Sequence, residues 1–215
     1  NYILNEKGYF PSHYWDFRVA SSTSVIDSIG GLTATYNGGM SSTVSDGALF
    51  DGTNDYINLD TFEIGGTCSF EIYARFDSNS EWGPLFEFGD GANQDVIMIR
   101  RHTTTNQINF DIMTGYNTTI DGRVSGGTIV NGQFTHIVGT ITFNNVMKLY
   151  QNGVFIGTDT TGSISPTFKT RVHHYLGKSL WEGSGYNINK FNGYIKYFRV
   201  YKGTELTQSQ VTELY

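Results

Sequence analysis

A chain of 215 residues is long enough to bury a full hydrophobic core without staples, and its single cysteine, Cys68, excludes an intrachain disulfide. Its net charge of −6, with Arg100-Arg101 as the one basic cluster, argues against nucleic acid, whose binding rests on phosphate neutralisation by Lys and Arg. No apolar run approaches the ~20 residues that span a bilayer, and the chain opens at Asn1 rather than Met, which reads as a processed or excised piece.

Gly, Asn, Asp, Ser and Thr recur between short aromatic or β-branched runs, the pattern of many strands joined by tight turns. Residues 13–17 read as a first strand with Trp15 and Phe17 on one face. Residues 20–47 are loop-rich, with room for short edge strands. Residues 48–50, a turn and residues 56–59 follow. The clearest strand covers residues 68–76, with Phe70, Ile72, Ala74 and Phe76 on one face and Glu71, Tyr73 and Arg75 on the other. Cys68 reads as a small buried residue at its start. Residues 85–88 come next, then residues 95–100, where Val96 and Met98 oppose Ile97 and Ile99. Residues 107–113 lead into a loop around Tyr116.

Residues 134–143 and 146–151 form a hairpin around Asn144-Asn145. The second strand turns again at Asn152-Gly153 into residues 154–158, a sequence suited to a type I′ turn because both central residues need positive φ. Residues 172–176 and 193–201 are the last strands. Thr207 with Gln210 makes a capping box, and Val211 and Leu214 share one face, so a short C-terminal helix packs on the rim. No linker splits the chain, and residues 1–215 read as one domain.

Several segments then fall into a known order. Phe50-Asp51-Gly52-Thr53-Asn54-Asp55-Tyr56-Ile57 resembles the FDG-x-x-D-Y signature of laminin G-like jelly-roll domains, within the concanavalin A-like lectin and glucanase superfamily. Phe134-Thr135-His136-Ile137-Val138 followed by residues 147–154 is similar to its W-x-H-V and L-Y-x-N-G hairpin. Tyr175-Leu176-Gly177, residues 191–201 and the closing helix resemble its last strands and end. The resemblance covers residues 14–215. It implies an all-β, antiparallel two-sheet sandwich of about 12 to 14 strands with a short C-terminal helix. The chain departs from the pattern at Lys196-Tyr197, where the family strand carries two carboxylates. The fold hosts lectins, carbohydrate-binding modules, adhesins and glycosidases, so it does not define function by itself.

Catalysis by a glucanase of this fold needs paired carboxylates on one strand face. Glu71 shares its face with Tyr73 and Arg75, and Glu87 and Asp90 flank Gly89, which reads as a turn, so no such pair is expected. Asp51, Asn54 and Asp55 place three oxygen side chains within five residues, a set able to hold a structural calcium ion, although such turns also bond their own backbone. His173 and His174 are strand neighbours on opposite faces and cannot chelate one ion together. His136 reads as a structural histidine. A lectin site stacks an aromatic ring on a sugar and surrounds it with amides and charges. Loop positions Trp82, Tyr116, Asn117, Trp181, Tyr186 and Asn187 are the candidates, with Trp82 and Trp181 also able to act as plugs. Asn117-Thr118-Thr119 is also a glycosylation sequon.

These features point to a non-catalytic glycan-binding module of a surface, secreted or virion protein, with carbohydrate or glycoprotein as partner, no required cofactor, no nucleic acid and no membrane span. The alternative is a structural or adhesive module that meets neighbouring subunits of an assembly such as a capsid, fibre or adhesin, and a second alternative is a glycoside hydrolase or lyase of the same fold.

Overall fold

Strand side chains point alternately to opposite faces, so each alternating run presents one face to a core and the other outward. The computed structural model describes residues 9–20, 22–78, 81–102, 105–116, 119–159, 164–182 and 190–215. In chain order the strands are β1 (His13–Asp16), β2 (Ser24–Ile26), β3 (Thr33–Asn37), β4 (Ser41–Thr43), β5 (Gly47–Asp51), β6 (Tyr56–Leu59), β7 (Glu63–Ile64), β8 (Cys68–Phe76) and β9 (Pro84–Gly89). They continue as β10 (Ile97–Arg101), β11 (Ile108–Ile112), β12 (Gly122–Gly126), β13 (Phe134–Ile141), β14 (Met147–Gln151), β15 (Val154–Asp159), β16 (Lys169–Thr170), β17 (His173–Leu176) and β18 (Asn192–Lys202). Helix α1 (Gln208–Leu214) closes the chain.

Two antiparallel eight-stranded sheets result. Sheet I runs β15-β14-β13-β8-β18-β5-β4, with β1 also on β18, and sheet II runs β12-β11-β10-β9-β17-β6-β3-β2. Their inner faces meet through Phe70, Ile72 and Phe76 of β8 and Phe198 of β18 on one side, and Phe86, Phe88, Ile99 and Phe110 on the other. The Phe70 and Phe86 rings lie 4.8 Å apart across the sandwich, and Phe86 and Phe198 5.2 Å apart. Trp15 and Phe17 are both fully buried, as their shared face requires. So is Cys68, whose thiol burial pushes up to about 12.

More strands form among the described residues than alternation alone indicates. Residues 20–47 pair as β2, β3 and β4, and β7 with β16 makes a separate two-stranded sheet. Strand β12 has the sequence GRVSG and one apolar side chain, Val124. It is an edge strand held by backbone pairing with β11, so its side chains give no periodic signal.

The Asn152-Gly153 turn has φ of 50° and 76°, the left-handed values a type I′ turn needs. Helix α1 begins with the expected capping box. The Gln210 amide donates to Thr207 Oγ1 at 3.3 Å, and the Thr207 amide donates to Gln210 Oε1 at 2.8 Å. The helix lies on the outer face of sheet I rather than on the rim, with Val211 against Val138, Tyr150 and Tyr201.

Beside that helix a charge is buried on the outer face of sheet I. Glu71 of β8 is fully buried. Its Oε1 accepts from His136 Nε2 of β13 at 3.1 Å and from Arg199 Nη1 of β18 at 2.8 Å, and its Oε2 accepts from the Tyr201 hydroxyl at 2.6 Å. Burial by itself opposes the charge, but the His136 bond and the Arg199 cation outweigh it and hold the carboxyl below its usual range. The C-terminal Tyr215 ring stacks on His136 at 5.9 Å. Glu71→Gln removes the charge and leaves the Arg199 guanidinium uncompensated in a mostly buried position. The expected loss, read from urea unfolding, is about 3–5 kcal/mol.

Candidate functional site

The face of sheet II that points away from the core carries the richest combination of rings and charges among the loops and strands singled out by sequence. Strand register sets one row across it: Thr35, Asn58, Tyr175, Glu87, Met98, Asp111 and Arg123. The alternate residues Ile57, Leu176, Phe86, Ile97, Phe110 and Val124 fill the core. Burial of those apolar residues therefore dictates which polar ones share the outer face.

The middle of the row is covered by the segment after β17. The Leu180 amide donates to Glu87 Oε1 at 3.0 Å. Trp181, only 7% exposed, packs with Val96, Met98 and Met113, and its indole N–H donates to Asn93 Oδ1 at 3.0 Å. Glu87 is sealed beneath at 1% exposure. Burial dominates its ionisation and raises the carboxyl to about 7, against opposing help from the Leu180 amide and Arg100.

Two clusters flank the covered centre. On one side the Lys178 ammonium lies 4.2 Å from the Tyr56 ring and 5.0 Å from the Tyr175 ring, and the Tyr175 hydroxyl meets His173 Nδ1 at 3.0 Å. On the other, fully buried Asp111 is clamped by two arginines. Arg100 Nε donates to its Oδ2 at 2.9 Å, and Arg123 Nε and Nη2 donate to its Oδ1 and Oδ2 at 2.6 and 2.9 Å. The Arg100 guanidinium stacks on the Trp82 ring at 4.3 Å, with His102 5.1 Å from that ring.

Two observations mark this second cluster. Trp82 has φ of 56°, a left-handed conformation that a bulky residue adopts only when its surroundings hold it there. Asn109, opposite Arg100 in the register, is fully buried with neither side-chain polar atom hydrogen-bonded. Buried amides are normally satisfied, so Asn109 stands out on this face.

The described candidates from sequence, Trp82, Tyr116 and Trp181, do not form one site. Trp82 stands at the end of sheet II where β10 finishes. Tyr116, 79% exposed, bridges Gln94 at the opposite end, near Asn93 and therefore near Trp181. Five residues of strand separate the ends, roughly 17 Å. Trp181 is a plug over the sheet rather than a ring open to ligand. Asn117, Tyr186 and Asn187 lie outside the described residues. Sequence reading missed Arg100 with Asp111 and Arg123. A signal was present for two of them: Arg100 and Asp111 sit in the outward phase of strands whose other phase is apolar, 11 residues apart, whereas β12 gives Arg123 no such mark.

The Asp51 turn is closed on itself. Asp51 Oδ1 accepts from the Thr53 and Asn54 amides at 2.7 and 3.3 Å, and these bonds, the Thr53 one foremost, hold its carboxyl low. Asp55 Oδ2 accepts from the Asp51 amide at 3.0 Å, and burial raises the Asp55 carboxyl. No group of three or more His, Cys, Asp or Glu able to hold a metal ion occurs among the described residues. His174 faces inward against Phe62 and Phe88, while His173 faces outward, as strand alternation requires.

An antiparallel jelly-roll sandwich with a polar, ring-bearing outer sheet is the architecture of one large group of proteins. The chain belongs to the concanavalin A-like lectin/glucanases superfamily, whose family model matches residues 51–212. No curated protein matches it by sequence. Among solved structures it is similar to domain 4 of an extracellular arabinanase from Geobacillus stearothermophilus, solved with arabinotriose, at 22% identity and a TM-score of 0.68. That match covers 96% of this chain and 98% of the other. It is also similar to the CBM40 of the Ruminococcus gnavus IT-sialidase bound to α2,3-sialyllactose, at 14% identity, 70% and 83% coverage and a TM-score of 0.57. The binding domain of botulinum neurotoxin serotype G matches at 12% identity with a TM-score of 0.71. This chain is covered to 96% there but spans only 50% of the toxin domain. Such identities establish the shared fold.

Glu87 gives a pH dependence whose sign follows from its raised value. Its contribution to stability is full below the unfolded carboxyl value near 4.5 and is lost as pH rises through about 7. Glu87→Gln should melt like the parent at pH 4 and above it at pH 8.5, by up to roughly 3 kcal/mol. Thermal melts of both proteins across that range are the check.

Proposed function

We propose that this domain is a non-catalytic glycan-binding module of an extracellular or surface protein, and that it takes its ligand on the outer face of sheet II at the Trp82–Arg100–Asp111–Arg123 cluster. The observation that carries the reading is an indole stacked on one of two guanidiniums that share a single buried carboxylate, beside an amide with no hydrogen-bond partner among the described residues. A pyranose or furanose presents an apolar face and a ring of hydroxyls. It is recognised by an aromatic side chain and a few polar groups already held in place. The arabinotriose and sialyllactose complexes of structural relatives support sugar as the ligand class.

Catalysis is disfavoured by the state of the carboxylates. Asp111 gives both oxygens to arginines, Glu87 lies under Leu180, and Glu71 is locked on the opposite sheet. None is placed to attack or protonate a glycosidic bond, which needs two carboxyl groups flanking it.

A glycan array that includes arabino- and sialyl-oligosaccharides, followed by calorimetry on any hit, tests the reading. Trp82→Ala and Arg100→Ala should each weaken binding more than tenfold with the fold retained. A blank array, or a hit indifferent to both variants, would refute this site.

The 51–55 turn, satisfied by its own amides, folds in this reading without an ion. Melting midpoints in EDTA and in millimolar calcium should coincide. A calcium-dependent rise of several degrees would show instead that Asp51 and Asp55 hold the cation.

A further inference from the structure

The outer face of sheet I beyond α1 departs from an ordinary solvated sheet surface, which alternates with small polar and charged residues. Register brings four rings into a chain across β1, β18, β8 and β13. Tyr14 and Tyr197 are 6.2 Å apart, Tyr197 and Tyr73 5.7 Å, and Tyr73 and Phe134 5.3 Å. Tyr194 stands beside them, opposite Arg75. Cations interleave with the rings. Arg199 lies 4.5 Å from both Tyr14 and Tyr197, Lys196 4.0 Å from Phe134, and Arg75 4.3 Å from Tyr194.

The lysine reaches this face through a backbone irregularity. The register of β18 against β8 shifts between Ile195 and Tyr197. Ile195 stays in the core, while Lys196 and Tyr197 both turn outward, as a bulge allows. Gly47 makes the bulge fit. Its φ is 86°, and a Cβ there would stand 2.2 Å from the Ile195 carbonyl oxygen and 2.8 Å from Lys196 Cα.

Most cations of the face are paired, and Asp46, next to the Gly47 that packs on Lys196, adds a further carboxylate that acts on Arg75. Arg75 is neutralised by Asp77, Arg199 by Glu71 and Arg18 by Asp16. Among the described residues Lys196 forms no ion pair, and no hydrogen bond is made at the Tyr73 and Tyr194 hydroxyls. A half-buried ammonium stands between rings, with free phenol groups around it.

We propose that this face is a second binding surface, separate from the cluster on sheet II, and that it takes an acidic polysaccharide. The anionic group of the sugar meets Lys196, and its hydroxyls meet the Tyr73 and Tyr194 phenols, while the ring edges of Tyr73, Phe134 and Tyr197 receive its apolar surface. The charge is complementary to one anion per contact, and the interleaved rings hold the lysine in place before binding. A carboxylate or a sulfate offers the same chemistry to an ammonium.

Affinity electrophoresis of the full chain through gels containing polygalacturonate, dextran sulfate or neutral dextran separates these sources. Retardation by at least one acidic polymer and not by dextran is expected at low salt, falling as salt rises; the polymer that retards names the acid. Lys196→Asp, which restores the acidic residue of the family strand pattern, should weaken that retardation about tenfold or more, and Tyr73→Ala severalfold. Lys196→Gln serves if the aspartate variant melts early. Absence of retardation by both acidic polymers, equal retardation by dextran, or parent-like behaviour of the folded Lys196 variants overturns the proposal. The Lys196 variants should bind any array hit of the sheet II cluster as the parent does, so failure here leaves that site untouched.

Discussion

A single buried carboxylate organises one side of this molecule. Glu71 sits on the outer face of β8, the central strand of sheet I, and its oxygens are taken by groups from β13 and β18. A charge out of water is tolerated only when it is paired and hydrogen-bonded, so the registers of three strands are tied to one atom pair. A one-residue slip of β13 would carry His136 to the core face and Ile137 outward. The same clamp seats the end of the chain, because His136 is the surface on which Tyr215 stacks and Tyr201 is the surface on which Val211 packs.

Sheet II repeats the device with a different result. Asp111 is buried as completely as Glu71, and of its partners Arg100 is mostly buried while Arg123, at 34% exposure, reaches the surface. A buried anion thereby fixes two cations in a defined geometry, and Trp82 lies against one of them. Groups held this way lose little freedom on meeting a ligand, which is what separates a binding surface from a merely polar one. Loop residues Leu180 and Trp181 close the middle of the sheet, so the exposed chemistry is concentrated at its ends.

Much of the fold could be read from side-chain periodicity. The faces of β8 and β10, the inward Trp15 and Phe17, the Asn152-Gly153 turn and the Thr207–Gln210 cap all follow from local rules, since each depends on residues close in the chain. Strands such as β12 and β7 were invisible because their pairing uses backbone groups, which every residue carries. The candidate site was read less well. Trp82 was singled out as an aromatic in a polar loop, but Trp181 has the same local appearance and is a plug, since only its contacts with Met98 and Met113 distinguish the two.

The sequence by itself determined that this is an antiparallel sandwich of the concanavalin A-like type, with which residues face the core and where the chain turns. It did so because burial imposes a period of two on every strand and turns demand particular backbone angles. Only the tertiary structure decided which outward residues become neighbours. Arg100, Asp111 and Arg123 are 11 and 12 positions apart in the chain and meet through strand register, while Tyr14, Tyr73, Phe134 and Tyr197 come together from four distant segments. Hydrogen-bonded pairing between strands is long-range and carries no signature in either partner alone, so the chemistry of both outer faces appears only once the sheets are assembled.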